Sequence, residues 1–299
     1  MGKKVRKAVL PVAGFGTRVL PATKAIPKEM LPVFDRPALQ YVVDEAWAAG
    51  IEHIICVTGR NKASIEDYFD RAYELEDSLS RKGKTALLAE LEAVQPKAGS
   101  ISFVRQQSPL GLGHAVWCAR DIVGDEPFAV MLPDMLMMGQ PNCLAQMISS
   151  YEKVGGNIIA VEHTDTPELY GVIDPVSRDG RLIKMKGMVE KPKREAAPSN
   201  LFISGRYILQ PEIFALLEAQ KPGAGGEIQL TDSMAALMGA QDFHALEYIG
   251  RSYDCGDKIG YLRAVMAFAL TNPDFGAQAR AAGLDEIERF APPRRAANE

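Results

Sequence analysis

Three basic side chains, Arg18, Lys24 and Lys28, follow the first hydrophobic run of the chain. Glycines and prolines separate them: VLPVAGFGTRVLPATKAIPKEMLP, from Val9 to Pro32. Gly14 and Gly16 permit unusual backbone dihedrals that expose successive amide N–H groups, and such groups beside cations suit phosphate oxygens. Pro21 and Pro27 oppose a helix inside the segment, so the expectation is irregular backbone that carries Arg18, Lys24 and Lys28 towards one place. GFGTR lacks the third glycine of the dinucleotide fingerprint, and no GxxxxGK[ST] loop is present. On the glycine-plus-lysine pattern alone, a solvated loop with chance positive charge is as good a reading as a phosphate site.

Physical need separates the two. Two doubly charged phosphate groups brought within ~5 Å repel by roughly 13 kcal/mol at an effective dielectric near 20. One lysine does not offset that; several cations and a divalent metal are called for. Asp134 closes the apolar run PFAVMLPD (Pro127–Asp134). Ligands of open α/β sheets bind beyond the carboxyl ends of strands, and magnesium takes one or two carboxylates with phosphate oxygens. Asp254, in SYDCGD, is a second acidic candidate with Asp257 close behind; either also reads as the cap of a helix starting at Lys258. No Ser–His–Asp or Cys–His arrangement stands out, and His114 reads as a packing or helix-start residue. Cys56, Cys118, Cys143 and Cys255 form no CxxC pair, and zinc-site spacing is missing.

The elements that must position these groups follow from periodicity. Ala8–Val12 reads as a buried strand, DRPALQYVVDEAWAAG as a helix capped by Asp35 with Pro37 in its first turn and Gly50 at its end, and HIICVTG as the next strand. This strand–helix–strand rhythm predicts a parallel crossover unit. Lys62–Val94 reads as an exposed helical excursion whose charges form a solvated face. SISFVRQ and PFAVMLPD are strands, GLGHAVWCARDIV a helix opened by Gly111 and Gly113, and NIIAVEH a strand after a helix near Cys143–Lys153. GVIDP, RLIKMKGMVEKP and LFISGRYILQ then predict a mixed-sheet second half for the acceptor substrate. PEIFALLEAQ, LTDSMAALMGA and KIGYLRAVMAFALTN read as helices, FHALEYIG as a strand, and APPRRAANE as a frayed tail.

The chain of 299 residues is 47% hydrophobic and 24% charged, with formal net charge -4. A nucleic-acid footprint needs a basic surplus, so any anion site is local and no nucleic acid is expected as partner. No stretch approaches the ~20 apolar residues of a membrane span. MGKKVRKAVLPVAG is too short in its apolar part for a signal peptide, and Arg6 stands where myristoylation requires Ser or Thr. The expectation is a cytoplasmic chain with buried free thiols and no membrane partner.

Four ordered stretches, AGFGTRVLPATKAIPKEMLPV, QQSPLGLGHAV, VEKP and GEIQLTD, resemble the sugar-nucleotide pyrophosphorylase family, and with Asp134 and Asp254 the likeness spans Ala13 to Asp257. PATKAIPKEML and GEIQLTD favour its uridylyltransferase branch over thymidylyl and adenylyl relatives. Pro133 and Val12 depart from the family pattern, where many members have glycine and a second small residue; neither change removes a charge. The resemblance implies an α/β, Rossmann-like nucleotidyltransferase fold with a central mixed, mainly parallel sheet flanked by helices. It divides the chain into a nucleotidyltransferase domain (1–272; nucleotide half about 1–135, sugar half about 136–260) and a C-terminal helix and tail (273–299). Laid on this sequence, it assigns Ala13, Gly14, Arg18, Lys28, Gln106, Gly111 and Asp134 to the nucleotide, and Gly171, Glu190 and Lys191 to the sugar phosphate. Asp134 and Asp254 would hold Mg2+, and Arg18, Lys28 and Lys191 would carry catalysis. The implied partners are UTP, glucose 1-phosphate, UDP-glucose and pyrophosphate, in a homo-oligomer (dimer or tetramer). A thymidylyltransferase and a non-catalytic sugar-nucleotide sensor are the alternatives; the sensor should have lost metal carboxylates or phosphate cations, and here both are kept.

Overall fold

Short apolar runs bounded by glycine and proline become strands, and amphipathic stretches become the helices that cover them. A computed structural model describes residues 2–223 and 226–290; APPRRAANE, residues 291–299, lies outside the described residues. In chain order the first half holds β1 (Lys7–Pro11), β2 (Pro32–Val33), β3 (Arg36–Pro37), α1 (Ala38–Ala48), β4 (His53–Thr58), α2 (Ala63–Phe69), α3 (Tyr73–Arg81), α4 (Thr85–Ala93), β5 (Ile101–Arg105), α5 (Leu112–Trp117), α6 (Arg120–Val123) and β6 (Phe128–Met131). The second half holds β7 (Met135–Met138), α7 (Cys143–Val154), β8 (Asn157–His163), β9 (Gly171–Asp179), β10 (Leu182–Glu190), β11 (Leu201–Leu209), α8 (Ile213–Ala219), α9 (Leu230–Leu237), β12 (Phe243–Glu247), β13 (Arg251–Asp254), α10 (Lys258–Thr271) and α11 (Gly276–Arg289).

A nine-stranded sheet runs β5-β4-β1-β6-β11-β8-β12-β10-β9. It is mixed, with helices on both faces. The expectation of a mainly parallel sheet holds for β5-β4-β1-β6 and for β12 on β8. It fails beyond β6, where β11 pairs antiparallel with both β6 and β8, and β10 with both β12 and β9. Of these pairs β9 and β10 are joined by a tight turn within SRDG and can only run antiparallel. Alternation sorts the side chains: Ala8, Leu10, Ile54 and Cys56 pack beneath α1 and α7, whereas Val9, Ile55 and Val57 pack against α5, α8 and α9. No helix of the described residues is long and apolar enough to cross a membrane. All four cysteines are free, Cys118 half-buried and the others buried.

Local expectations fail where side chains found other partners. Asp35 does not cap α1; its carboxylate accepts from Arg36 and from the Tyr41 hydroxyl, and Pro37 occupies the cap position. The helix expected over GLGHAVWCARDIV is broken between Trp117 and Arg120 into α5 and α6.

One buried ion pair underlies the site. Arg206 lies within a bulge of β11 and is fully buried. Its guanidinium donates to the Glu45 carboxylate (2.8 Å at the shortest) and to the backbone carbonyls of Leu132 (3.0 Å) and Met135 (2.8 Å). Those carbonyls bracket Asp134, so Arg206 holds from below the turn that carries it. Glu45→Ala is expected to cost about 3–5 kcal/mol, because it strands a buried guanidinium. Urea unfolding should show this as a lower midpoint at unchanged slope. Adding Arg206→Met should recover part of the loss; a single-variant loss under ~1 kcal/mol would contradict the anchoring role.

Candidate active site

The cationic segment leaves β1 as three short 3-10 turns, Thr17–Val19, Ala22–Lys24 and Lys28–Met30, with no α-helix, as its prolines require. Gly16 sits at φ +66, and a Cβ there would lie 3.2 Å from both Lys28 Cβ and Thr23 Cγ2. The loop therefore folds back on itself, locked by Thr23 Oγ1 donating to the Gly16 carbonyl (2.7 Å). That fold-back turns Lys28 inward and leaves Lys24 exposed, lining neither pocket described below. The expected convergence of three cations is thus one of two, Arg18 and Lys28. Next to Lys28, the buried Glu29 accepts from Lys62 Nζ (2.8 Å). Lys62 opens the charged excursion read as solvated, yet it is buried, because a carboxylate taken out of water needs a cation beside it.

Asp134 follows β6 on a turn in which Met135 N–H donates to the Leu132 carbonyl (3.2 Å). Pro133 is the second residue of that turn, a position whose fixed φ it suits, which accounts for proline there. β7 then pairs antiparallel with β13, setting Asp254 opposite Met135, and Cys255 N–H donates to the Asp134 carbonyl (2.7 Å). Two carboxylates distant in sequence thus stand side by side. Lys28 Nζ lies 2.5 Å from Asp134 Oδ2, and the Arg18 guanidinium reaches 3.9 Å from each aspartate. Asp257 is the helix cap, accepting from Ile259 and Gly260 N–H, which leaves Asp254 free to face the cleft. A Cβ on Gly256 would displace the Arg18 guanidinium and lie 2.7 Å from Asp254 Oδ1, so a side chain here would disturb both charged groups.

Charge is unevenly shared. Burial works against the Lys28 ammonium, but Asp134 and Glu29 outweigh it and raise its pKa. Burial pushes Asp134 up, and Lys28 with Arg18 overcomes it and holds the carboxyl below its usual range. Asp254 is raised, by burial and then by the neighbouring Asp134, with the Gly256 N–H and Arg18 compensating only in part. An under-neutralised carboxylate beside a second one fits a divalent cation. Among the described residues no group of three or more His, Cys, Asp or Glu could hold a metal alone. The remaining ligands would have to be phosphate oxygens and water, which is how magnesium is commonly held.

Two cavities meet at this cluster. One, of about 430 Å³, is lined by Ala13, Gly14, Gln106, Gly111 and Pro109 among others; the second, of about 590 Å³, by Gly171, Glu190, Lys191, Thr231 and Tyr207. Arg18, Asp134, Leu112, Leu132 and Glu227 border both. In the first, Gly111 sits at φ +102, and a Cβ would meet Glu227 Cβ at 2.8 Å and the Ile228 carbonyl at 2.9 Å. The glycine-rich stretch is stitched to Glu227–Ile228 by Gly113 N–H to Ile228 O (2.8 Å) and Ile228 N–H to Leu110 O (2.7 Å). In the second, Gly171 lies opposite Glu190 across β9 and β10, and a Cβ on Gly171 would sit 3.0 Å from Glu190 Oε2. Thr231 Oγ1 donates to that oxygen (2.8 Å), which fixes the carboxylate. Lys191 leaves β10 at φ +45, with its side chain largely exposed and its ammonium 4.0 Å from Glu190.

The structure therefore brings the sequence-predicted residues Ala13, Gly14, Arg18, Lys28, Gln106, Gly111, Asp134, Gly171, Glu190, Lys191 and Asp254 around one two-lobed cleft. Sequence reasoning missed Glu29, Lys62, Thr231, Glu227 and Gly256. Thr231 and Glu227 lie within GEIQLTD, a stretch whose pattern marks the family but gives neither residue a role by itself.

Residues 7–270 match the nucleotidyl transferase family. The chain belongs to that family. It is 50% identical over 274 residues to a UTP–glucose-1-phosphate uridylyltransferase of Bacillus subtilis, covering 91% of this chain and 94% of the relative. Among solved structures, a UDP-glucose pyrophosphorylase from Acinetobacter baumannii superposes with a TM-score of 0.88 at 48% identity, over 94% of this chain and 99% of that one. A UDP-glucose pyrophosphorylase complexed with UDP-glucose superposes with a TM-score of 0.81 at 43% identity, over 88% and 98%. Within the nucleotidyl transferase family, then, the likeness to uridylyltransferases runs through both halves of the sheet and is not confined to the glycine turn.

Proposed function

We infer that this chain transfers a uridylyl group from UTP to alpha-D-glucose 1-phosphate, forming UDP-glucose and pyrophosphate. The observation that carries this reading is the cluster of Arg18, Lys28, Asp134 and Asp254 at the junction of two cavities, where a triphosphate from one lobe and a sugar phosphate from the other would meet. The long, near-complete likeness to uridylyltransferases supports the same choice of substrates.

In this reading the base and ribose lie against Gln106, Gly111 and the Ala13–Gly14 backbone. Arg18 and Lys28 hold the triphosphate, with Arg18 nearest the leaving pyrophosphate. Glu190 and Gly171 receive the glucose hydroxyls, and Lys191 pairs with the sugar phosphate. A phosphate oxygen of glucose 1-phosphate, already ionised, attacks the α-phosphorus in line, so no side-chain nucleophile or base is required. What the chain supplies is alignment and charge neutralisation. Mg2+ held between Asp134 and Asp254 would add neutralising charge on the phosphate oxygens. A homo-oligomer, dimer or tetramer, is proposed on resemblance, as is the division into a nucleotide half and a sugar half.

Incubation with a panel of nucleoside triphosphates and sugar 1-phosphates with magnesium tests the reading through pyrophosphate release. UTP with glucose 1-phosphate should give the highest kcat/KM; no release with any pair would overturn it. On the sugar side, Lys191→Ala should raise the KM for glucose 1-phosphate about tenfold or more and leave that for UTP within about twofold, as expected for one exposed charge-assisted contact. An unchanged glucose 1-phosphate KM would remove Lys191 from the site.

A further inference from the structure

Gln106 is nearly buried, yet it lines the first cavity at the carboxyl end of β5. An amide side chain has one donating and one accepting end, and a half-turn exchanges them. Here both donor hydrogens are occupied. Gln106 Nε2 lies 3.0 Å from the Gly111 carbonyl oxygen and 3.0 Å from His114 Nδ1. The flipped amide would set Oε1 against the Gly111 carbonyl oxygen, two acceptors with no hydrogen between them, and would require His114 to change tautomer to keep its own contact. His114 belongs to α5, stacks on Trp117 with ring centroids 5.7 Å apart, and so cannot readily swing away. Burial lowers its pKa, which favours the neutral imidazole, and because Gln106 Nε2 can only donate, the hydrogen bond to it selects the tautomer whose Nδ1 accepts. The one end of the Gln106 amide with no partner among the described residues is Oε1, an acceptor without a donor of its own.

We propose that His114 is a positioning residue that, with the Gly111 carbonyl, locks the Gln106 amide so that only an acceptor faces the base. The pocket then selects a pyrimidine with an N–H at ring position 3. Uracil has that hydrogen; cytosine presents a bare ring nitrogen there and meets Oε1 lone pair to lone pair. Thymine carries the same N–H, so this device sorts uracil from cytosine and is blind to the thymine methyl. His114, read from sequence as a packing residue, thereby acquires a role in base choice. The inference rests on the proposed binding of the base against Gln106.

The test is kcat/KM for UTP and for CTP, with glucose 1-phosphate saturating. The expected result for His114→Phe, and for His114→Met as a loss of the acceptor with a different shape, is a fall in the UTP:CTP ratio of about tenfold, the scale of one hydrogen bond. The KM for glucose 1-phosphate should stay unchanged. His114→Asn, whose carbonyl can stand near the place of Nδ1, should restore the ratio to within about threefold of the parent. A merely structural role would lower turnover with both nucleotides equally and leave the ratio intact, and an intact ratio in whichever acceptor-less variant folds overturns the proposal. Gln106→Ala separates the two levels. If it abolishes the preference while the His114 variants keep it, positioning by His114 is wrong and the base contact stands; if it too keeps the preference, the base contact itself is wrong.

Discussion

Asp134→Asn is expected to lower metal-dependent turnover by about 10²–10³-fold, the scale seen when one preorganised electrostatic contact is removed from a transition state. The substitution changes the charge and little of the shape. The turn that carries residue 134 is held by Arg206 on the Leu132 and Met135 carbonyls and by Cys255 N–H on the Asp134 carbonyl. None of these bonds uses the Asp134 side chain, so the backbone should stay in place. Two losses would then coincide: a divalent cation at the proposed site would keep only Asp254 as an anionic protein ligand, and Lys28 loses the carboxylate 2.5 Å from its ammonium. The measurement is pyrophosphate release across a magnesium titration. The variant should need more magnesium for half-maximal rate and fail to reach the parent rate at saturation. Parent-like magnesium dependence would remove Asp134 from the metal site.

Asp134 was legible because it obeys a rule that needs only a strand and its end. An apolar run followed by a carboxylate puts that carboxylate at the ligand-binding edge of an α/β sheet. Ala13–Gly14 after β1 and Gln106 after β5 lie at the same edge, although the family resemblance and not this rule assigns them to the nucleotide. Order and type of elements were legible too, since alternation and helical spacing report burial directly. Partnership was not. Glu29 with Lys62 and Glu45 with Arg206 are residues of types normally left in water, and they are buried only because the fold supplies a counter-charge 33 and 161 residues away. Lys24 failed for the opposite reason: its residue type suited the site, but the fold-back at Gly16 and Thr23 points its turn outward. Asp35 met the composition of a helix cap and lost the position to Pro37, since Arg36 and Tyr41 had already engaged its oxygens.

Lys28→Ala is the second large effect, and its signature differs from that of a binding residue. The ammonium stands among Asp134, Glu29 and Arg18 on the wall of the first cavity, beside two groups that border both cavities, where charge would gather if two polyanions met. If its work is to neutralise that charge as the in-line arrangement forms, the same stabilisation is lost from whichever side the arrangement is approached. A catalyst leaves the equilibrium constant untouched, so at constant substrate affinities forward and reverse rates must fall by one common factor, expected at about 10²–10³. Lys191→Ala should instead act through the affinity for one substrate. Removing Lys28 also leaves the buried Glu29 with Lys62 alone, so some loss of stability is expected beside the kinetic effect. Lys28→Met, which keeps the stem and discards the charge, separates the two: it should retain most of the packing and as little activity as alanine. Turnover within a few-fold of the parent in both directions would mean that Arg18 and the metal suffice, and that Lys28 serves only to keep Asp134 ionised.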